Sequence, residues 1–406
     1  MNNNLKKNTI WHTIGLTLNS FNSLFFLIIV NRINGVNIGG IFSFAFSLSC
    51  LLYMVGIYSG RTYQVSDVSK ELNDYDYLLH KVITCFLMMI IVVFFVMLKN
   101  YSLEKNVIII ILCLYKCMEA FSETFYGYLQ KNDKLYLVGK SLFFKSLIAI
   151  LAFLIVDIIT KNIILSSFTL VVVNILFILL YDVRKSKKYI SNERITIKNI
   201  LKLFKKGFPV FSFSFLSSYV ASAPKYIIDM LLSNSFQNIF GIIIMPGTVM
   251  SLCGQYIMAP LLTNVVDCYN QGMYIKLKNI VFKMVKILLC LGVFVELVAY
   301  ILGIPVLTLL YGINLNNYRI DLVLIIFGAI FYSLSGIFST VLITMRKNNI
   351  QLLIYILSSI IITLLSYLLV CNYGIHGATY AYVIAMFLHA LIYYLYFMFE
   401  FKKLKS

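Results

Sequence analysis

Long apolar runs, separated by short polar segments, dominate the chain. Twelve of these runs have about the 20 residues that an α-helix needs to cross a bilayer. They lie at positions 10–32, 38–60, 81–99, 106–130, 138–157, 161–181, 207–232, 237–264, 281–303, 320–344, 351–371 and 375–400. Membrane-spanning β-strands are shorter and alternate between apolar and polar residues, and these runs do not. The pattern therefore predicts an all-α integral membrane protein with about twelve transmembrane helices.

Composition agrees with this prediction and explains the charge. Hydrophobic residues make up 61% of the chain and charged residues 12%, whereas soluble proteins carry about 25% charged residues. The net charge of +18 would suit a nucleic-acid partner, but the basic residues concentrate in segments on the same side of the membrane as the N-terminus. The positive-inside rule then places both termini in the cytoplasm. We expect no nucleic-acid partner.

The longest hydrophilic stretch, 182–206, follows the sixth run and divides the chain into halves of similar length. We predict an N-terminal six-helix lobe at 1–185, a basic cytoplasmic linker at 186–206 and a C-terminal six-helix lobe at 207–406. Six spans are an even number, so the halves share one orientation and would form a parallel pseudo-repeat about an axis along the membrane normal. A coincidence of length is the alternative.

The fourth run carries a polar stripe. Lys116, Glu119, Glu123, Tyr126 and Gln130 fall within about 80° of one another on a helix that turns 100° per residue. A charge at the centre of a bilayer costs about 2.5–3.5 kcal/mol on insertion scales, so such residues face a protein interior or a water-filled cavity and mark a transport path. The stripe is therefore the strongest functional signal in the sequence.

Other runs carry polar residues too. Lys225, directly after Pro224, and Asp229 lie one turn apart in the seventh run. They either line a cavity or pair with each other. Lys145 in the fifth run either lines the cavity or extends towards the interface. Asn19 belongs to a milder stripe in the first run, which indicates either polar helix packing or a cavity wall.

Buried lysines from both halves suit an anionic ligand such as a diphosphate, because a desolvated ammonium attracts phosphate strongly. The acids would balance the lysines or exchange a coupling ion, H⁺ or Na⁺. The lysines are Lys116, Lys145 and Lys225, and the acids are Glu119, Glu123 and Asp229. No phosphate-cradling loop and no cysteine–histidine set with metal-ligand spacing is visible, so we expect neither cofactor nor metal.

Five segments resemble a known family. YKCMEAFSETFYGYLQKNDKLYLVGKS at 115–141 is similar to the fourth-to-fifth-span signature of Wzx-type polysaccharide flippases, in the superfamily that includes the multidrug MATE exporters. GRTYQVSDV at 60–68, APKYIID at 223–229, GIPVLTLLYG at 303–312 and YGIHGATYAY at 373–382 are similar to further family segments in the same order. The resemblance covers almost the whole chain.

This resemblance implies a MATE-like, two-lobe transporter with a cationic central cavity. It would move an undecaprenyl-diphosphate-linked oligosaccharide from the inner to the outer leaflet of the bacterial cytoplasmic membrane by alternating access. Membrane lipids, a coupling ion and a polysaccharide polymerase would be its further partners. The lysines and acids named above would line the cavity, with Arg32 at the outer end of the first span and Arg61 at the inner end of the second.

Two other functions remain open at this stage. A MATE-like antiporter would export organic cations and should have a site dominated by carboxylates, whereas lysines are prominent here. A membrane polysaccharide polymerase or acyltransferase has a similar number of spans, but it needs a long outer loop with arginines or a reactive histidine. We expect a transporter, not an enzyme.

Overall fold

The computed structural model describes residues 3–67, 72–191, 196–258, 261–345 and 347–403, which are almost entirely helical and include no β-strand. Residues 3–186 contain α1 (Asn3–Ser20), α2 (Asn22–Asn34), α3 (Val36–Ile57), α4 (Gly60–Ser66), α5 (Asp74–Leu98), α6 (Leu103–Lys131), α7 (Leu135–Thr160), α8 (Ile163–Phe177) and α9 (Val183–Ser186). Residues 197–403 contain α10 (Ile197–Leu231), α11 (Asn234–Ile243), α12 (Met245–Met258), α13 (Leu262–Asn270), α14 (Tyr274–Val298), α15 (Ile304–Tyr311), α16 (Arg319–Thr344) and α17 (Asn348–Lys403). A π-helical segment, Ile178–Asp182, joins α8 to α9.

Nine helical segments of the described chain are long and apolar enough to span a membrane. One of them, Ile350–Lys403, contains two helices, because Gly374 (φ 58°, ψ −135°) breaks α17 where only glycine fits easily. Two more long helices, α6 and α10, lie outside these nine. Together these helices give the predicted number of crossings and confirm a multi-pass, all-α membrane protein.

Two compact units divide the chain, unit 1 at Met1–Ser218 and unit 2 at Tyr219–Ser406. In unit 1, α1 and α7 pack closely because each helix has a glycine at the contact. A Cβ atom on Gly15 would collide with the backbone of Gly139, and one on Gly139 would collide with the backbone of Trp11. Small residues permit such close helix approach in membranes.

The hydrophilic stretch after α9 is fixed to unit 1 by two aspartates at the start of α5. The Ser191 amide donates to Asp74 Oδ2 at 2.8 Å. Asp76 is fully buried and accepts from the Thr196 amide at 2.9 Å and from Asn199 Nδ2 at 2.7 Å. These residues of the predicted linker therefore pack as part of this unit, while the predicted lobe boundaries at 185 and 207 stay a prediction.

In unit 2, neutral hydrogen bonds join helices in the interior. Gln351 of α17 accepts from Ser339 Oγ of α16 at 2.9 Å and donates to the Ser339 carbonyl at 3.1 Å. The hydroxyl of Tyr393 also donates to Gln351 Oε1. Another bond joins Ser358 Oγ and His389 Nδ1 at 2.7 Å. The buried amide of Gln351 is tolerated here because both of its polar atoms find partners.

Candidate functional site

The polar stripe on α6 carries buried ion pairs in unit 1. Lys116 Nζ lies 2.7 Å from Glu119 Oε2, and the two side chains are only 11% and 9% exposed. Three aromatic rings surround the ammonium group, with centroids 5.0 Å away for Phe46, 5.9 Å for Tyr53 and 5.0 Å for Tyr115. The rings attract the cation through their faces, and the carboxylate neutralises it. This end of the stripe is therefore closed and internally compensated.

One turn further along α6, the stripe meets Arg61 of α4. Arg61 Nη1 lies 2.9 Å from Glu123 Oε2, and Arg61 Nε and Nη2 donate to Gln130 Oε1 at 3.0 and 2.8 Å. The Arg61 guanidinium also lies 5.8 Å from the ring centroid of Tyr126. The side chains of Arg61 and Glu123 are 21% and 19% exposed. This second pair is the more accessible one.

A break between α3 and α4 brings Arg61 to the stripe. Tyr58 and Ser59 both adopt left-handed conformations, with φ of 38° and 55°, which cost energy for residues other than glycine. Lys81 of α5 compensates, because its ammonium donates to the carbonyls of Gly56 at 2.9 Å and Ile57 at 2.8 Å. The positive charge also complements the negative end of the α3 dipole. Lys81 thus fixes the point from which α4 starts.

Gln64 fixes α4 on its other side. This side chain is 1% exposed, lies directly against Gly127 of α6 and donates to the Thr124 carbonyl at 3.2 Å. A side chain at position 127 would collide with Gln64. With both contacts made, Arg61 has a defined position opposite Glu123.

A chain of hydroxyl groups connects the stripe to α7 and to the π-helical segment. Lys145 Nζ donates to Tyr126 Oη at 2.8 Å and to Ser122 Oγ at 3.3 Å. Tyr126 Oη lies 3.1 Å from Ser141 Oγ, which donates to Asp182 Oδ1 at 2.6 Å. Lys145 is 2% exposed and Asp182 is fully buried. Lys145 therefore bonds to α6 instead of extending towards an interface, and π-helical turns such as the one ending at Asp182 recur at functional sites.

Three amide and hydroxyl side chains form a neutral cluster that joins α1, α2 and α7. Asn22 Nδ2 donates to Ser146 Oγ at 3.2 Å and to Asn19 Oδ1 at 3.3 Å, and Ser146 Oγ donates to Asn19 Oδ1 at 3.1 Å. The three residues belong to α1, α2 and α7. Asn19 therefore takes part in polar packing between helices, which is one of the two interpretations that the sequence leaves open.

The predicted site residues fall into three groups. Unit 1 brings six of them into one region of contacts around α6, namely Arg61, Lys116, Glu119, Glu123, Tyr126 and Lys145, and Asn19 accepts from Ser146, the residue after Lys145. Arg32 lies exposed in the last turn of α2. Lys225 and Asp229 lie half-buried on the part of α10 that belongs to unit 2.

Sequence reasoning missed two buried charged residues that support this site, Lys81 and Asp182. Lys81 stands at the start of an apolar run, where the positive-inside rule predicts a cytoplasmic lysine, yet it is 1% exposed. Asp182 is the first residue of the predicted hydrophilic stretch, yet it is fully buried. Neither has a neighbour at helical spacing that would reveal its partner, since Lys81 binds α3 and Asp182 binds α7.

The comparisons with known proteins agree with a transporter fold. No protein-family model matches the chain. The capsular polysaccharide biosynthesis protein CapF of Staphylococcus aureus is 29% identical over 294 residues, which are 71% of this chain and 74% of CapF.

Solved transporters superpose on almost the whole chain. An inward-facing multidrug resistance MATE family transporter of the MOP superfamily matches with a TM-score of 0.72 and 13% identity, over 98% of this chain and 99% of that one. The outward-facing conformation of such a transporter matches with a TM-score of 0.65 and 13% identity, over 99% and 96%. A MOP superfamily transporter from Pyrococcus furiosus, described as having a binding pocket of reverse polarity, matches with a TM-score of 0.58 and 14% identity, over 99% and 96%. The chain has the MATE-like fold that its sequence resemblance implies.

Proposed function

We propose that the protein is a flippase that moves an undecaprenyl-diphosphate-linked oligosaccharide from the inner to the outer leaflet of the bacterial cytoplasmic membrane. Capsule, O-antigen or another cell-surface polysaccharide would be assembled from this unit. The observation that carries the proposal is the network of paired bases and acids along α6. The likeness to CapF, which is named for capsular polysaccharide biosynthesis, and the transporter fold support it.

The pairing on α6 suits an anion that exchanges with a carboxylate. Arg61 presents a planar fork of donors that matches phosphate as well as it matches carboxylate. A diphosphate that reaches Arg61 would replace Glu123 as its partner, so the guanidinium would stay paired in a low-dielectric site. The released Glu123 would then be free to take up H⁺ or Na⁺, which gives a physical route for coupling transport to an ion gradient.

Accessibility suggests an order of contact. The Arg61–Glu123 pair is about twice as exposed as the Lys116–Glu119 pair, so the ligand would meet Arg61 first. Lys116 and Lys145 would supply further positive charge on the cytoplasmic approach, and Lys225 would receive the diphosphate as the lobes rock open to the outside. The sugar would occupy the hydrated cavity while the lipid tail stays in the membrane.

A MATE-like export of organic cations is the rival function, and the fold alone is compatible with it. The carboxylates of α6 argue against it, because Glu119 and Glu123 are already neutralised by Lys116 and Arg61. To reach either acid, an organic cation would have to displace the side chain of Lys116 or Arg61, which is part of the protein and stays close to its partner. A polymerase or acyltransferase finds no support in the transporter fold.

Reconstitution into vesicles with a fluorescent lipid-linked oligosaccharide tests the proposal, with leaflet exchange followed in the presence and absence of a proton or Na⁺ gradient. Arg61→Gln should lower the exchange rate about 10- to 100-fold, because a hydrogen bond to a charged group contributes about 1.5–3 kcal/mol. Arg61→Lys should retain part of the rate, since it keeps the charge but loses the fork. Arg319, exposed at the start of α16, provides the control variant Arg319→Gln, which should exchange normally.

Two results would contradict the proposal. Wild-type protein that exchanges no lipid-linked oligosaccharide under any gradient is not such a flippase. Uptake of an organic cation in competition with protons, with the lipid substrate ignored, would favour the antiporter.

A further inference from the structure

An apolar groove lies on unit 2 between α14, α16 and the second half of α17. Its volume is about 190 Å³, and its wall includes Phe282, Phe331, Phe338, Phe387 and Ala390. Rings meet along it, with centroids 5.2 Å apart for Phe331 and Phe387. The seven steps from Phe331 to Phe338 advance about 10 Å along α16. The groove is therefore a narrow, aromatic-lined path that runs along the helices.

A lysine stands at one end of this groove. Lys278 lies one turn before Phe282 on α14, and its Nζ atom is 5.6 Å from the ring centroid of Phe282 and 5.2 Å from that of Phe401. The ring of Phe397 lies between, with its centroid 6.1 Å from Phe401 and 5.4 Å from Phe338. Within the described residues, no carboxylate forms an ion pair with Lys278. Aromatic faces hold the ammonium group and leave its charge available to a ligand.

We infer that the groove holds a segment of the isoprenoid tail of a polyprenyl phosphate, next to its head group, and that Lys278 binds its first phosphate. A polyprenyl phosphate carries one hydrocarbon chain per phosphate, which matches one narrow groove with one cation at its end. An ordinary phospholipid carries two chains per phosphate, and one of them would find no groove. A lysine binds phosphate as a point charge, which suits a site that must also release its ligand.

This inference rests on the proposed function and assigns a binding site to the lipid part of the substrate. Lys278 lies at the start of α14, close to the segment that the charge distribution predicts to be cytoplasmic. A lipid loaded there would have its tail held by unit 2 while its diphosphate remains near the membrane surface. The tail would then stay in the membrane phase throughout the transport cycle.

Native mass spectrometry of the full-length protein in detergent tests the groove, with undecaprenyl phosphate as the probe. Ala390→Phe fills the groove and should lower retention of the probe at least tenfold. Lys278→Gln should lower retention of undecaprenyl phosphate about tenfold but leave retention of undecaprenol, which lacks the phosphate, unchanged. Exposed Lys276 provides the control Lys276→Gln, and Leu368, 57% exposed on the first half of α17, provides the control Leu368→Phe. Both controls should bind the probe normally.

Lys278→Gln removes only a half-buried charge, so its result stands even if Ala390→Phe fails to fold. Unchanged retention in Lys278→Gln would overturn the inference. Equal displacement of the probe by phosphatidylglycerol would also overturn it, because the groove would then hold bulk lipid. The probe carries no sugar and needs no translocation. A protein that binds it in the groove but exchanges no lipid-linked oligosaccharide would therefore refute the proposed function alone.

Discussion

The interiors of the two units solve the same packing problem with different chemistry. Unit 1 buries the Lys116–Glu119 pair deep among its helices. Unit 2 joins its helices through the neutral groups of Gln351 and Ser339. In the described part of unit 2, the Lys347–Glu400 pair at a helix end leaves the Lys347 side chain 42% exposed, and the His376–Asp321 pair leaves the His376 side chain 46% exposed.

This difference indicates that the buried ion pairs of unit 1 have a function other than stabilising the fold. Neutral hydrogen bonds suffice to hold helices together, since they satisfy buried polar groups without the desolvation cost of charges. Ion pairs buried in a membrane protein cost more than they return to stability, so their presence in unit 1 suggests a role in handling a charged ligand. Unit 2 would contribute an apolar surface instead.

The largest expected effect concerns the buried pair of unit 1. Lys116→Met leaves Glu119 charged and unpaired in the interior, which should lower the free energy of unfolding by about 3–5 kcal/mol. The double variant Lys116→Met/Glu119→Gln removes both charges and should recover most of that loss, while leaflet exchange stays low. Denaturant unfolding of the purified protein and the vesicle assay together measure this. A double variant that exchanges lipid at the wild-type rate would show that the pair is structural.

A smaller effect is expected in the interior of unit 2. Gln351→Leu leaves the groups of Ser339 and Tyr393 without their partner and should lower the free energy of unfolding by about 1–3 kcal/mol. Leaflet exchange per folded molecule should remain near normal, because no charge is lost. Ser359, whose hydroxyl donates to the Tyr355 carbonyl of its own helix, provides the control Ser359→Ala. If Gln351→Leu stops exchange as Lys116→Met does, the contrast between the units fails.

The smallest effect is a dependence of stability on pH at the end of unit 2. A hydrogen bond to Glu400 and the charge of that residue raise the pKa of Lys347 above its ordinary value of 10.5. Because the pKa is higher in the folded state, the pair contributes fully below about pH 10.5 and loses its contribution as pH rises through the folded pKa. The thermal midpoints of wild type and Lys347→Met should differ slightly at pH 8 and converge at high pH. A difference that persists at high pH would show that the stem of Lys347, not its charge, matters.

By itself the sequence determined the class of protein and the most informative helix. Apolar runs of membrane-spanning length predict the helical fold because a bilayer leaves the backbone no other way to satisfy its polar groups. The stripe on α6 is readable because its residues repeat at the period of a helix, and the Lys116–Glu119 pair lies within one turn. Both are local properties of the chain.

Only the tertiary structure decided the partners that lie far apart in sequence. Arg61 reaches Glu123 because α3 breaks at Tyr58, and Lys81 stabilises that break from another helix. Asp182 meets Ser141 only because α8 packs beside α7. No spacing rule predicts such contacts, since they depend on which helix faces lie together once the chain has folded, and that is set by packing and not by periodicity.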